Sequence, residues 1–225
     1  MRKTFLFIIF LFLFVNSQAQ KYREFGYFAG VSYYLGELNT KHFYNPGLAL
    51  GLLFRQNLNA RWSVRANLYG GNLSANDKDS KYQYQQIRNY SFSTVYAELN
   101  AQMELNFLPY RFGDENTPFT PYVAVGLGGV YFTNSVKPIQ ITLPFAFGFK
   151  FNLNEYIGIG IAWNMRKTFT DYIDNLTNNV DIEKVEQIPP KQLGYNRHND
   201  WYSNAGIFIT FKAFNGKNKC KAYSY

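Results

Sequence analysis

Cysteine and histidine are nearly absent from this 225-residue chain, which has one Cys, Cys220, and two His, His42 and His198. A single thiol cannot close an internal disulfide, so Cys220 is either idle or paired with another molecule. One thiol and two distant imidazoles also give no metal-ligand spacing. No apolar run reaches the roughly 18 to 20 residues that a membrane helix needs, and the mean hydropathy is −0.29. A helical membrane protein is thereby excluded. The longest run, FLFIIFLFLFV at 5–15, follows Arg2 and Lys3 and precedes Ser17, Gln18 and Ala19, the layout of a cleaved signal peptide. Residues 1–19 are therefore read as a signal peptide, and the mature chain starts near Gln20. The formal charge of +8 falls to about +6 without Arg2 and Lys3. Its basic residues are scattered, and an exported chain rarely meets nucleic acid, so no nucleic-acid partner is expected.

Aromatics are plentiful, at 20% of the chain with 19 Tyr and 22 Phe. They recur in a period of two. YAELNAQMELNF at 96–107 sets Tyr96, Glu98, Asn100, Gln102, Glu104 and Asn106 against Ala97, Leu99, Ala101, Met103, Leu105 and Phe107. Its residue types favour a helix, but only a strand separates the two sets onto opposite faces. The same alternation predicts strands over 23–35, 47–55, 61–69, 121–132, 139–152, 157–166 and 204–212. The connections are short (QNLNA, LNE) or middling (PYRFGDENTPF) on one side. On the other side they include long polar stretches at 71–90 and 170–200. Eight strands with this alternation of turns predict an all-β, antiparallel up-and-down barrel spanning residues 20–214.

In a soluble barrel the apolar face would point inward. Here the apolar face is bulky and aromatic, whereas the opposite face is rich in Gly, Ala, Ser and Asn and carries charges of both signs. An eight-stranded interior is just wide enough to be filled by side chains, so the small and charged set belongs inside. Ion pairs in the lumen are expected among Glu24, Arg61, Arg65, Glu98, Glu104, Lys150 and Arg166, with Lys212 on the same face. The apolar face then meets outer-membrane lipid, and Tyr33, Tyr69, Tyr90, Tyr131, Tyr156 and Trp201 are placed in an aromatic girdle. Such a barrel leaves no aqueous channel.

No catalytic, metal-binding or cofactor-binding residue is assigned. His198 beside Asp200, or His42 beside a loop Ser, would suit acyl transfer in a small barrel enzyme acting on lipid A or phospholipid, but no nucleophile motif accompanies either. The Gly-rich GLGG at 126–129 falls within a strand and suits close packing rather than phosphate binding. An even strand number returns the C-terminal tail, NGKNKCKAYSY at 215–225, to the periplasmic side. This tail is either a frayed terminus or a docking hook in which Lys217, Lys219, Lys221, Tyr223 and Tyr225 surround Cys220.

Several stretches carry a family likeness: SYYLGELN (32–39), NLNARWSVRANL (57–68), LNAQMELNFLPY (99–110), FTPYVAVGLGGVYF (119–132), RKTFTDYIDN (166–175) and the Cys220 tail. In that order they resemble the PorG-like outer-membrane proteins of the Bacteroidetes type IX secretion system, over nearly the whole mature chain. The resemblance implies an eight-stranded barrel that is not the export channel. It implies a non-enzymatic role in anchoring the periplasmic ring of PorK and PorN (GldK and GldN), with Cys220 in a disulfide to the ring lipoprotein. Two departures are present: a shorter connection at 133–138, and Lys221 where proline often follows the cysteine. A divergent paralogue without the ring is the alternative they raise.

Overall fold

The computed structural model describes residues 22–36, 38–79, 89–111, 117–170, 172–173 and 200–213. Their eight strands are β1 (Arg23–Leu35), β2 (Gly47–Asn57), β3 (Trp62–Asn76), β4 (Ser91–Asn106), β5 (Phe119–Phe132), β6 (Ile139–Asn152), β7 (Ile157–Thr168) and β8 (Trp201–Ala213). Each pairs antiparallel with the next. β1 pairs with β8 from Arg23↔Ala213 to Leu35↔Trp201, which closes the barrel. Closure leaves no strand edge unpaired along the wall. In β4 the alternation of polar and apolar residues overrides the helix propensity of Glu, Leu, Ala, Gln and Met.

Burial settles which face is which. Leu48, Leu99, Leu127, Ile139 and Ile141 are 62–78% exposed on the outer wall, whereas Glu24, Arg55, Glu98, Glu104 and Arg166 are fully buried inside. A soluble barrel would show the reverse. Strands of 11 to 16 residues match or exceed the roughly 9 to 11 that cross a bilayer when tilted.

Bulky residues fill the lumen where the facing wall is bare. The ring of Phe208 lies against Gly160 and that of Tyr69 against Gly51, where any Cβ would collide with the ring. In the GLGG stretch the sites split by parity. A Cβ on Gly128 would stand 2.8 Å from Thr142 Oγ1 inside, whereas Gly129 faces open space outside.

Three sequence expectations need correction here. Arg61 does not enter the lumen. It is exposed in the β2–β3 turn, where Asn59 Oδ1 accepts from the amides of Arg61 and Trp62 and starts the strand one residue later. Its Nη1 donates to the Phe107 carbonyl at 3.2 Å. Tyr69 leaves the girdle for the lumen, because it shares a face with Arg65 and Asn67. Finally, 71–90 is only partly a loop: β3 runs to Asn76, a 3-10 turn covers Asp77–Asp79, and β4 starts at Ser91. The β3–β4 pairing extends to Asn76↔Ser91, whereas the β2–β3 pairing stops at Ala49↔Gly71, so this hairpin stands above its neighbour.

Candidate functional site

The lumen holds two charged groups at different heights. Nearer the short-turn rim, Glu24, Arg55, Arg65 and Gln102 form one row across β1 to β4 through the pairs Glu24↔Arg55, Arg55↔Arg65 and Arg65↔Gln102. This register sets two guanidiniums side by side, which is unfavourable unless carboxylates flank them. Glu24 does so from one side, at 2.6 Å from Arg55 Nη1. Glu104, two residues along β4 from Gln102, does so from below, at 3.1 Å from Arg55 Nε, 3.3 Å from Arg65 Nη1 and 2.6 Å from Lys150 Nζ. Asn57 donates to Glu24 and accepts from Ser63, both at 2.6 Å, and Arg65 Nε donates to Gln102 at 2.6 Å.

Aromatic rings cover what the carboxylates leave. Arg55 lies over Phe208, Arg65 over Tyr122, and Lys150 over both Tyr110 and Tyr122 at 4.8 and 5.3 Å. Tyr110 comes from the β4–β5 connection and closes the base of the lumen. Burial, reinforced by the negative charge of Glu24, pushes its hydroxyl pKa well above the ordinary tyrosine value.

Higher up, Glu98 on β4 meets Arg166 on β7 at 2.7 Å across the lumen. The Arg166 guanidinium lies 4.8 Å from the Tyr69 ring and 5.5 Å from the Tyr202 ring. Asn100 donates to Glu98 at 2.8 Å and accepts from Asn67 at 2.7 Å. Arg65 Nη2 reaches Asn164 at 3.3 Å, which joins the lower group to the strand that carries Arg166. These cations face the barrel axis and are buried at the 0–1% level, so the described lumen leaves no room for water beside them.

Arg55 and the covering rings were not among the ion-pairing residues singled out from sequence, although the parity of β2 places Arg55 on the inner face. Lys212 is half-buried near the end of β8. Among the girdle residues, Tyr131 and Tyr156 are exposed outside, whereas Tyr33 is buried beneath the β1–β2 connection. His42, from that connection, sits 3.3 Å from the Tyr33 hydroxyl. The signal peptide, His198, Cys220, Lys217, Lys219, Lys221, Tyr223 and Tyr225 lie outside the described residues. Among the described residues, no three of His, Cys, Asp and Glu gather as metal ligands.

An inverted wall around a sealed, ion-paired lumen defines a closed eight-stranded barrel of the outer-membrane type. The chain belongs to the family described as Domain of unknown function (DUF6089), which matches residues 2–223. No curated protein matches it. Solved structures similar to it include Neisserial surface protein A (8% identity, 87% of this chain and 98% of that one, TM-score 0.48) and OprG of Pseudomonas aeruginosa (13%, 88% and 97%, 0.46). Ail of Yersinia pestis, solved with the heparin analogue sucrose octasulfate, is also similar (12%, 86% and 97%, 0.42).

Proposed function

We propose that this protein is a non-enzymatic outer-membrane component of the type IX secretion machinery, holding the periplasmic PorK/PorN (GldK/GldN) ring beneath the membrane. The observation that carries this reading is the sealed lumen. A barrel whose axis is filled by paired charges and rings carries no cargo through itself, so its work is done at its rims and outer wall. The resemblance of the strands and the tail to PorG-like proteins supplies the partner. Among the described residues the short-turn rim presents exposed Arg23, Arg61 and Arg111 with exposed Glu155, a mainly basic face suited to docking on the periplasmic side. The last strand, β8, ends at Ala213 on that same rim, and Cys220, seven residues further along the chain, is the residue we assign to a disulfide with the ring lipoprotein.

The test is affinity purification of the tagged protein from gently solubilised envelopes, with mass spectrometry of what comes with it. Recovery of the two ring proteins is expected, and their absence at stoichiometric tag recovery removes the anchoring role. On non-reducing gels, Cys220→Ser should abolish a high-mass band that the native protein shows. If the native protein shows no such band, the covalent link is wrong even if the ring is still recovered.

A further inference from the structure

Several features converge on one patch of the outer wall, where β7, β8 and β1 reach the long-loop rim. The β1–β2 connection does not stay above the barrel. It folds down the outside, bringing the His42 ring within 5.4 Å of Trp163 and the Phe43 ring within 4.9 Å of Tyr33 and 5.6 Å of Trp163. Left-handed backbone at Phe43 (φ 59°) and Asn45 (φ 46°) turns the chain back towards β2. Beneath it, Trp163 Nε1–H donates to the Tyr33 hydroxyl at 2.8 Å. That bond passes over β8, whose outward Ser203 and Ala205 are small enough to let indole and phenol meet.

A linked indole, phenol and imidazole on a lipid-facing wall belongs at the depth of the headgroups, where one end of each ring is wet and the other is apolar. Two lysines border these rings, one next to His42 in the chain and one further up β7 from Trp163. Lys41 precedes His42 and lies 5.6 Å from the Tyr44 ring, and Lys167, four residues beyond Trp163 on the same outward face of β7, lies 5.7 Å from Trp201. No ion pair joins either lysine to a described carboxylate. Two acids of this rim, Asp77 and Asp200, are buried. Alongside, Phe43 is half-exposed and Phe147 continues the platform onto β6 at 5.0 Å from Trp163.

We propose that this patch binds a phosphorylated lipid of the outer leaflet, of the lipid A class. Lys41 and Lys167 engage its phosphates, while Phe43, Trp163 and Phe147 hold its first acyl chain. The inference rests on the outer-membrane reading. Cationic groups at the edge of an apolar aromatic platform, ion-paired to none of the described acids, match an amphiphile with a phosphate head.

The experiment uses the full protein in phosphatidylcholine nanodiscs doped either with bisphosphorylated lipid A or with the same lipid stripped of phosphate, and reads bound lipid by native mass spectrometry. Native protein should prefer the phosphorylated lipid at least tenfold. K41Q/K167Q should lose about 30-fold of that affinity, at roughly fivefold per lysine, and with it the preference. Phe43→Ala should weaken both lipids alike. A heat-modifiable band on gels verifies that each variant is folded. Equal binding of the two lipids by native protein, or unchanged binding by the folded double variant, overturns the proposal. Displacement by millimolar inorganic phosphate overturns it too, by assigning the lysines to free phosphate. Failure of the native chain to enter nanodiscs at all would instead refute the outer-membrane reading.

Discussion

The lower and upper parts of β3 and β4 follow opposite rules within the same two strands. From Trp62 to Leu68, and from Ala97 to Leu105, apolar side chains point out and polar ones point in. Beyond Gly70 and Gly71 the sense reverses. Leu73 and Ala75 turn inward and are buried, with Phe92 packed on the same cluster, while Asn72, Ser74, Asn76, Ser91 and Ser93 turn outward. Tyr34, Leu38 and Ile173 join this inner cluster from other parts of the long-loop rim. One hairpin thus carries an inside-out core in the wall and an ordinary hydrophobic core above it. The level of the change marks where the surroundings pass from acyl chains to water, because burial of apolar surface stabilises only against water.

Substitutions at the two levels should behave differently. The largest effect is expected at Glu104, where E104Q leaves Arg55, Arg65 and Lys150 without their shared carboxylate. Removing one partner of a buried pair costs about 3–5 kcal/mol, so the barrel should unfold at markedly lower urea when it is refolded in lipid. Adding Lys150→Met to that variant should return part of the loss, since an unpaired buried charge is the source of the penalty. Next comes Leu99→Arg on the lipid-facing wall, expected to cost about 2–4 kcal/mol in lipid vesicles.

Leu73→Ala should cost about 2 kcal/mol or more, felt mainly as faster amide exchange in the raised part of the hairpin. Ser93→Arg, outward on the same strand as Leu99, should stay within about 0.5 kcal/mol. A Ser93→Arg penalty equal to that of Leu99→Arg would show that lipid reaches the raised hairpin and that the proposed boundary is misplaced. A smaller, pH-dependent effect belongs to Tyr110. Its folded pKa is raised, so its contribution is complete below the unfolded tyrosine value of about 10 and is lost as pH climbs above that value towards the folded pKa. Tyr110→Phe should therefore flatten the alkaline decline in stability without changing stability at neutral pH by more than a small amount.

The reversal also explains what could be read from the sequence and what could not. The wall was legible because alternation of one sense persists through each strand, and in β4 it outweighs the helix propensity of the same residues. The raised hairpin was not, because NLSAN at 72–76 alternates in the other sense and looks like a polar loop when only apolar-out strands are sought. Arg61 obeys the parity of β3 on paper, but the side chain of Asn59 captures two amides and holds Arg61 in the turn. Tyr69 reads as an interfacial ring by composition, and only its register beside Arg65 and Asn67 sends it inside. The place of His42 on the outer wall depends on a left-handed backbone at Phe43, a residue type that gives no advance sign of it.

Glu24 comes from the first strand, Glu98 and Glu104 from the fourth, Lys150 from the sixth and Arg166 from the seventh. A partly threaded barrel would consequently carry bare charge on a surface that must enter oil. Glu104–Lys150 and Glu98–Arg166 each join strands that are not neighbours in the sheet, so these charges meet only as the sheet curls round on itself, and neutralisation is tied to curling rather than to the pairing of any one hairpin.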